Sequence, residues 1–297
     1  MFYWKVSLEE SSLNLLSFLK SRLGSSFSVR KIKRLLEGSR CELNGKVERF
    51  STRKVGLGDE ISLNVASFPP LDLVEGSPIL FEDDYILAYN KNAGISSQGN
   101  ESLEKILSVS YPSHLKLAHR LDKDTTGVIL FAKDAFSERV LKEQFLVRSV
   151  NKVYLALVDG EVLGSSGKMQ SYLAKRCSYQ GQSIWGETER KKGKFSLTFW
   201  EKKACSNGAT LLRCFPKTGR THQIRVHLKE MGYPILGDFH YARSFSCKRH
   251  KPFRYLLHSE EIRLKHPVFS KEISIKAPIP KDFLQAFQDL GISEFSI

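Results

Sequence analysis

The spacing of apolar residues divides the chain into two parts of different character. Near its start, leucines recur at the three- and four-residue intervals of a helix, at Leu13, Leu16, Leu19 and Leu23. Gly24 follows as a stop signal, and a second helix is predicted over 28–38. Short apolar segments then flank the Asn44-Gly45 pair, which is typical of a hairpin turn. Residues 1–66 are therefore predicted to form a small domain of two helices and a hairpin sheet.

The second predicted helix, SVRKIKRLLEG, has two chemically distinct faces. Ser28 is its predicted N-cap and Gly38 its predicted C-terminal cap. At 100° per residue, the apolar face gathers Val29, Ile32, Leu35 and Leu36. The opposite face gathers cations, which are Arg30, Lys31 and Arg34, with Lys33 on the flank. A solvated surface would account for these charges, and so would a surface that binds phosphates.

From Ile79 onward, strand patterns dominate. They occur in the segments ILFEDDYILAYNK, GVILFAK, NKVYLALVDG, FSLTFWEKK, ATLLRCFP and EISIKAP. Helices are predicted within 137–146 and 221–232, and loops with short strands over 160–194, which is rich in Gly, Ser, Lys and Gln. Many strands with few helices predict an α+β domain with a mixed, mainly antiparallel sheet over 79–297. The prolines within 67–78 predict a linker between the two domains.

The charge of the chain indicates a polyanionic partner. Its 297 residues include 46 lysines and arginines against 32 aspartates and glutamates, a net charge of +14. Such an excess favours nucleic acid, because each cation that contacts a phosphate releases a counterion. A basic protein without a specific partner is the alternative that charge alone leaves open.

The cysteines and the start of the chain point to a cytoplasmic protein without membrane contact. Five cysteines are scattered without a CxxC pair, so neither a zinc site nor a disulfide framework is predicted. The N-terminal sequence lacks the features of a signal peptide, and no apolar run approaches the roughly 18 residues that a membrane span requires.

The segment HRLDKDTTG at 119–127 places charged residues directly before the apolar run VILFA. A surface turn would explain the charges. A carboxylate mounted at the end of a buried strand would instead be a candidate nucleophile or base. Asp122 lies beside Arg120 and Lys123, which favour its ionised form unless burial prevails.

Two further segments carry candidate site residues. In NKVYLALV, Tyr154 lies on a predicted half-buried strand, where it could be a core residue or a platform on which a nucleobase stacks. In PKTGRTHQIRVHLKEMG, Thr221 is a predicted helix cap, and Arg225 lies one position from the apolar stripe. A buried guanidinium requires an anion. Asp122 is the natural candidate for it.

Taken together, these segments resemble the RluA family of RNA pseudouridine synthases. That family carries HRLDxxTSG, KxYxALV, GRxHQIRxH followed by YPxxGD, and a late LHxxxLxFxHP…AP stretch. The matching segments here are His119–Gly127, Lys152–Val158, Gly219–His227 with Tyr233–Asp238, and Leu257–Pro280. The departures are Thr126 in place of the serine, NKNAG in place of NKPAG at 90–94, and Ser96-Ser97 in the adjoining loop. The first 66 residues resemble the S4 RNA-binding domain through RKIKRLLEG, ELNGK and KVGLGDEISL.

The resemblance implies the reaction and the residues that perform it. The N-glycosidic bond of a uridine in RNA is broken, the uracil is turned, and it is rejoined through C5. No cofactor or metal is implied. Asp122 would be the catalytic carboxylate, attacking the sugar, attacking the ring or removing a ribose proton. Tyr154 would stack on the base, Arg225 would pair with Asp122, and Arg120 would fill the space left by the flipped base or contact a phosphate.

The same resemblance favours ribosomal RNA, 23S above all, over transfer RNA as the partner. Arg30, Lys31, Lys33 and Arg34 would bind phosphates, giving placement on RNA with little sequence information. A monomer is the default expectation. A non-catalytic RNA-binding protein of this fold is the main rival, but it would be free to lose Asp122, Tyr154 and Arg225. A glycosidase acting on carbohydrate would ordinarily use two carboxylates, and the basic charge would be unexplained.

Overall fold

The chain forms two compact units in the computed structural model, Met1–Pro70 and Leu71–Ile297. The structure describes residues 1–24, 27, 29–37, 40–65, 77–99, 101–111, 114–179, 182–242 and 244–293. Most of the predicted linker, 67–76, lies outside them, as do the predicted caps Ser28 and Gly38. None of the helices within the described ranges is long and apolar enough to cross a membrane.

The first unit packs two helices on a small antiparallel sheet. Its elements are β1 Phe2–Lys5, α1 Leu15–Leu23, α2 Val29–Glu37, β2 Cys41–Leu43, β3 Lys46–Val47 and β4 Glu60–Leu63. The strand order is β1-β4-β2-β3, and Asn44-Gly45 forms the turn between β2 and β3, as predicted. Strand β1 was not predicted, and it pairs with β4 along its whole length.

The buried face of α1 differs from the predicted leucine stripe. Asn14 caps the helix by accepting a hydrogen bond from the Ser17 amide, so the helix begins at Leu15 and Leu13 lies outside it. The core face consists of Leu15, Phe18, Leu19 and Leu23. The predicted apolar stripe differs from the observed one because it included Leu13, which lies before the helix, and omitted Phe18, which is buried.

In α2, Ile32, Leu35 and Leu36 are buried as predicted, whereas Val29 is 45% exposed at the first turn of the helix. Lys33 is partly exposed. The backbone of Arg30, Lys31 and Arg34 belongs to this helix, but their side chains lie outside the described part of the structure. The phosphate-binding role of these cations remains a prediction.

The second unit is built on one large mixed sheet. Its strands are β5 Ile79–Glu82, β6 Ile86–Lys91, β7 Lys116–Leu117, β8 Thr126–Ala132, β9 Asn151–Asp159, β10 Ser166–Tyr179, β11 Gln182–Glu187, β12 Lys194–Ser206, β13 Ala209–Pro216, β14 Leu257–Lys265 and β15 Glu272–Lys276. The order is β11-β10-β12-β13-β9-β14-β8-β6-β5, with β15 paired to β14 and β7 to β8. The β14–β8 pair is parallel and the others are antiparallel. The predicted α+β fold with a mainly antiparallel sheet is confirmed.

The helices of this unit are α3 Leu103–Leu107, α4 Ala135–Leu146, α5 Gln223–Glu230 and α6 Lys281–Leu290. Helices α4 and α5 match the two predicted ones. Helix α6 was not predicted, although its spacing is helical, and it buries Phe283, Ala286, Phe287 and Leu290. These side chains join the core that contains the central strands β9 and β13.

The prediction of loops and short strands over 160–194 was wrong. This stretch contains β10, a strand of 14 residues, and its partner β11. Most residues of β10 up to Cys177 are exposed or only partly buried, because the β10–β11 hairpin lies at the edge of the sheet. A strand with so few buried positions lacks the apolar alternation by which strands are found in a sequence.

Candidate active site

A cleft of about 440 Å³ opens where the ends of β8, β9 and β13 meet the start of α5. Its lining includes all four residues for which the sequence predicts a role at the reaction centre, which are Asp122, Tyr154, Arg225 and Arg120. They come from segments up to 105 positions apart in the sequence, between Arg120 and Arg225. Arg120 is exposed at the cleft.

Gly127 anchors the segment that carries Asp122 to the sheet. It lies opposite Ser259 in the parallel pairing of β8 with β14, with φ of 105°. A Cβ atom at this position would lie 2.1 Å from the Ser259 carbonyl oxygen, so only glycine fits. The HRLDKDTTG turn is thus fixed directly to the central strands, which makes it more than a solvated loop.

Lys91 anchors the same turn through hydrogen bonds to its backbone. Its side chain is fully buried, and Nζ donates to the carbonyl oxygens of Asn92, Lys123 and Thr125 at 2.9, 2.8 and 2.8 Å. Burial lowers the pKa of Lys91 to about 7. The three carbonyl acceptors oppose this effect, because the ammonium form offers one N–H donor to each of them. The sequence analysis did not select Lys91. The position of Lys91 within NKNAG, a segment of the family resemblance, was the sequence feature that could have identified it.

The turn has two further anchors. The Ser97 hydroxyl donates to the Leu121 carbonyl at 2.7 Å and accepts from the Leu121 amide at 3.0 Å. Arg254 donates from Nη1 to the Asp124 carbonyl at 2.9 Å and pairs through Nε with Asp282 of α6 at 2.6 Å. These contacts fix the backbone on both sides of Asp122 and leave its side chain to the cleft.

Two nitrogen-bearing side chains lie close to the same carboxylate oxygen of Asp122. Nη1 of Arg225 lies 3.4 Å and Nε2 of His222 lies 3.8 Å from Oδ2. The side chain of Asp122 keeps 21% of its surface exposed. Both contacts fall on Oδ2, and the Asp122 side chain forms part of the cleft lining.

Arg225 has a stronger partner than the predicted one. It binds Asp238 through two hydrogen bonds, from Nε at 2.7 Å and from Nη2 at 2.9 Å, and Asp238 is 1% exposed. Its guanidinium carbon lies 4.1 Å from the centre of the Tyr255 ring and 5.0 Å from that of Tyr241. Burial opposes the charge, yet Asp238, Tyr255 and Asp122 raise the pKa of Arg225 well above its usual value. The anion predicted to pair with the buried Arg225 is therefore mainly Asp238. Asp122 contacts the third guanidinium nitrogen, Nη1.

Asp238 was overlooked because YPILGD was read only as part of a motif. Gly237 before it has φ of 84°, and a Cβ atom there would lie 2.1 Å from the Arg254 carbonyl oxygen. This close approach delivers Asp238 to the buried side of α5. A sequence signal was available, since an aspartate after a glycine in an apolar segment requires a partner once it is buried.

Tyr154 lies on β9 with 9% of its surface exposed and its side chain on the cleft. Burial raises the pKa of Tyr154 to about 12. The phenol is therefore neutral near pH 7. A half-buried neutral ring on a rigid strand is suited to stacking on a nucleobase.

His222 was also missed by the sequence analysis, which placed the helix cap at Thr221. The cap residue of α5 is His222, with left-handed φ of 55° and no side-chain capping bond. Its Nδ1 lies 2.7 Å from the hydroxyl of Tyr241, which accepts a hydrogen bond from the Trp185 amide at 3.1 Å. Burial and Arg225 lower the pKa of His222 to about 4, so the imidazole is neutral near pH 7. The strained backbone turns this side chain toward Asp122.

The chain matches the RNA pseudouridylate synthase family model over residues 85–230. It is 31% identical over 313 residues to the ribosomal large subunit pseudouridine synthase C of Escherichia coli (strain K12), covering 96% of this chain and 95% of that protein. It is 36% identical over 210 residues to the dual-specificity RNA pseudouridine synthase RluA of Vibrio vulnificus (strain CMCP6), covering 67% and 81%.

Among solved structures, the human RNA pseudouridylate synthase domain containing 4 has the same fold. The TM-score is 0.62 at 24% sequence identity, with 72% of this chain and 92% of that chain covered. The range that the family model matches includes Asp122, Tyr154 and Arg225.

Proposed function

Because the chain belongs to the RluA family of RNA pseudouridylate synthases, we propose that it converts particular uridines of large-subunit ribosomal RNA to pseudouridine, with Asp122 as its catalytic group. One observation carries the assignment of Asp122. It is a carboxylate that touches the charged nitrogen of a buried arginine at 3.4 Å, in a cleft that also holds Tyr154.

The reaction exchanges one bond to the ribose for another. The C1′–N1 bond of uridine breaks and a C1′–C5 bond forms, while the hydrogen on C5 leaves as a proton and N1 gains one. Electrons and atoms balance within the nucleotide. The three roles open to Asp122, which are attack on the sugar, attack on the ring and removal of a ribose proton, all require its ionised form. The contact of Arg225 with Oδ2 holds this carboxylate in the cleft where the substrate would lie.

Tyr154 and Arg120 are proposed to hold the nucleotide during this exchange. A uridine in folded RNA is reached by turning it out of its stack, and the exposed base then needs an aromatic surface. The neutral ring of Tyr154 lies on the cleft wall and supports this role. Arg120, exposed at the same cleft, is proposed to take the place of the departed base or to contact a phosphate.

The choice of ribosomal over transfer RNA rests on the relative that spans nearly the whole chain, which is named for the ribosomal large subunit. The first unit is proposed to be an S4-like RNA-binding domain over 1–66, with its cations on α2. Its two helices on a small antiparallel sheet are compatible with that assignment. A cytoplasmic monomer is part of the proposal, since one chain already supplies every residue of the cleft considered above.

Pseudouridine mapping tests this function directly. Ribosomal and transfer RNA from cells with and without the gene would be mapped for pseudouridine at single-nucleotide resolution. The proposal predicts that one or more positions of large-subunit ribosomal RNA lose the modification when the gene is absent. Loss of pseudouridine confined to transfer RNA would contradict the proposed choice of substrate. An unchanged pseudouridine map would contradict the proposed function as a whole.

A further inference from the structure

Four cations lie together on the cleft wall, away from the reaction centre. They line the same cleft as Asp122 and are Arg148, Lys152, Lys217 and Arg220. Within the ranges that the structure describes, no ion pair involves any of them. Neighbouring charges of one sign repel one another, so this arrangement costs free energy unless an anion binds there.

Lys152 is the member closest to the stacking residue in the sequence. It precedes Tyr154 by two positions on β9, so both side chains lie on one face of the strand, roughly 7 Å apart along it. Its Nζ lies 3.4 Å from the Thr218 carbonyl oxygen, beside Gly219, which has no side chain to cover the ammonium. Burial, together with Lys217 and Arg148, lowers the pKa of Lys152 to about 8. This shift supports the close spacing of the three cations.

The backbone also constrains Arg220 and Arg148, which line the same cleft. Nε of Arg220 donates to the Phe195 carbonyl at 3.0 Å, which orients its guanidinium. Arg148 has left-handed φ of 61° just after α4, a conformation that non-glycine residues rarely adopt. Burial and the charge of Arg148 lower the pKa of Arg220, so these two groups also lie within electrostatic reach.

We propose that Arg148, Lys152, Lys217 and Arg220 form a phosphate subsite that binds a phosphodiester next to the target uridine. The inference rests on the proposed function, because it takes the base to be stacked on Tyr154. The separation of Lys152 from Tyr154 is comparable with the distance between a nucleobase and the phosphates that flank its ribose. A subsite at this distance would hold the ribose between the ring and the cations, in the cleft that Asp122 also lines.

The subsite can be tested with a small probe that needs no knowledge of the target sequence. Uridine and uridine 3′,5′-bisphosphate would be titrated into the full chain, and their affinities compared. The wild-type chain is expected to bind the bisphosphate roughly 10-fold or more tightly than uridine, as for hydrogen bonds to a charged group. The double variant Lys217→Gln/Arg148→Gln should lose most of this preference while its affinity for uridine stays the same. Both side chains are exposed, so the fold should be kept.

Lys271→Gln/Arg190→Gln is the matched control, since it removes one exposed lysine and one exposed arginine that do not line the cleft. It should keep the wild-type ratio, which separates the subsite from the general attraction of a basic protein. Equal affinity of the wild-type chain for both ligands would overturn the inference, and so would an unchanged ratio in the double variant. Pseudouridine formation on ribosomal RNA, assayed in parallel, reports separately on the proposed function. Its failure alongside an intact bisphosphate preference would count against that function and in favour of the subsite.

Discussion

Nη1 of Arg225 lies 3.4 Å from Oδ2 of Asp122, across 103 positions of the sequence. The guanidinium reaches this place because Asp238 binds its other side through two hydrogen bonds. Asp238 therefore fixes Arg225, and Arg225 in turn directs the exposed carboxylate of Asp122. A single planar guanidinium presents separate nitrogens to the two carboxylates, a geometry that the ammonium of a lysine does not reproduce.

The first prediction follows from this shared arginine. Arg225→Lys and Asp238→Asn should be strongly non-additive in activity, because each disables the same unit. Arg225→Lys alone should lower kcat much more than RNA affinity, since Asp122 loses its direction but the phosphate contacts remain. Single-turnover rates of the two single variants and the double variant would measure the coupling. A double variant that is slower than each single variant by the product of their effects would show that the two residues act independently.

The second prediction concerns His222. Its φ of 55° is easier for asparagine than for histidine, so His222→Asn should leave the free energy of unfolding unchanged or raise it by up to about 1 kcal/mol. Activity should nevertheless fall, because the imidazole near Asp122 is lost. Denaturant unfolding and kcat, measured on the same preparation, would test this. Tyr241→Phe, which removes the hydrogen bond to Nδ1, should lower kcat in the same direction. Full activity of both variants would show that His222 only closes the helix.

The third prediction concerns Lys91. Replacement by methionine keeps most of the buried volume but removes the ammonium that donates to the carbonyl groups of Asn92, Lys123 and Thr125. The Lys123 carbonyl still accepts from the Gly94 amide at 2.9 Å, whereas the other two lose this donor. We expect a loss of about 3 kcal/mol in the free energy of unfolding, because buried acceptors remain unpaired. We also expect kcat to fall more than RNA affinity. Lys116→Met, at an exposed lysine of β7, is the control and should change stability little. Equal stability of the two variants would contradict the role given to Lys91.

Much of the fold could be predicted because its central strands are apolar and its hairpin turn has a specific sequence. The edge strands β10 and β11 were missed, since polar residues on both faces leave no alternation to detect. In the site, Asp122 and Arg225 were found through charges placed beside apolar segments. Asp238, His222 and Lys91 were not found, because their importance depends on contacts between distant segments and, for His222, on a backbone conformation that spacing does not reveal.

The fourth prediction concerns the cations of α2. Replacing Arg30, Lys31 and Arg34 with alanine should weaken RNA binding and make it less dependent on salt. Each lost phosphate contact removes somewhat less than one unit from the slope of log K against log salt concentration. The buried residues Ile32, Leu35 and Leu36 are untouched, so the helix should persist. An unchanged slope would show that this face does not contact RNA.

The central claim is that Asp122 performs the chemical step, and Asp122→Asn tests it with little change in shape. The amide keeps the size of the side chain but removes its charge and most of its nucleophilicity and basicity. RNA affinity should stay near normal, because it depends on many phosphate contacts that one carboxylate hardly affects. Lys123→Ala and Asp124→Asn are neighbouring controls. The turn is anchored through their backbone carbonyls, which these changes leave in place, so most activity should remain.

The decisive measurement is pseudouridine formation by these purified variants on uridine-labelled ribosomal RNA, in preparations free of the host's own synthases, with the products separated by chromatography. The account predicts no pseudouridine from Asp122→Asn, at normal RNA binding, and substantial pseudouridine from both neighbouring variants. Appreciable turnover by Asp122→Asn would contradict the assignment of the catalytic group.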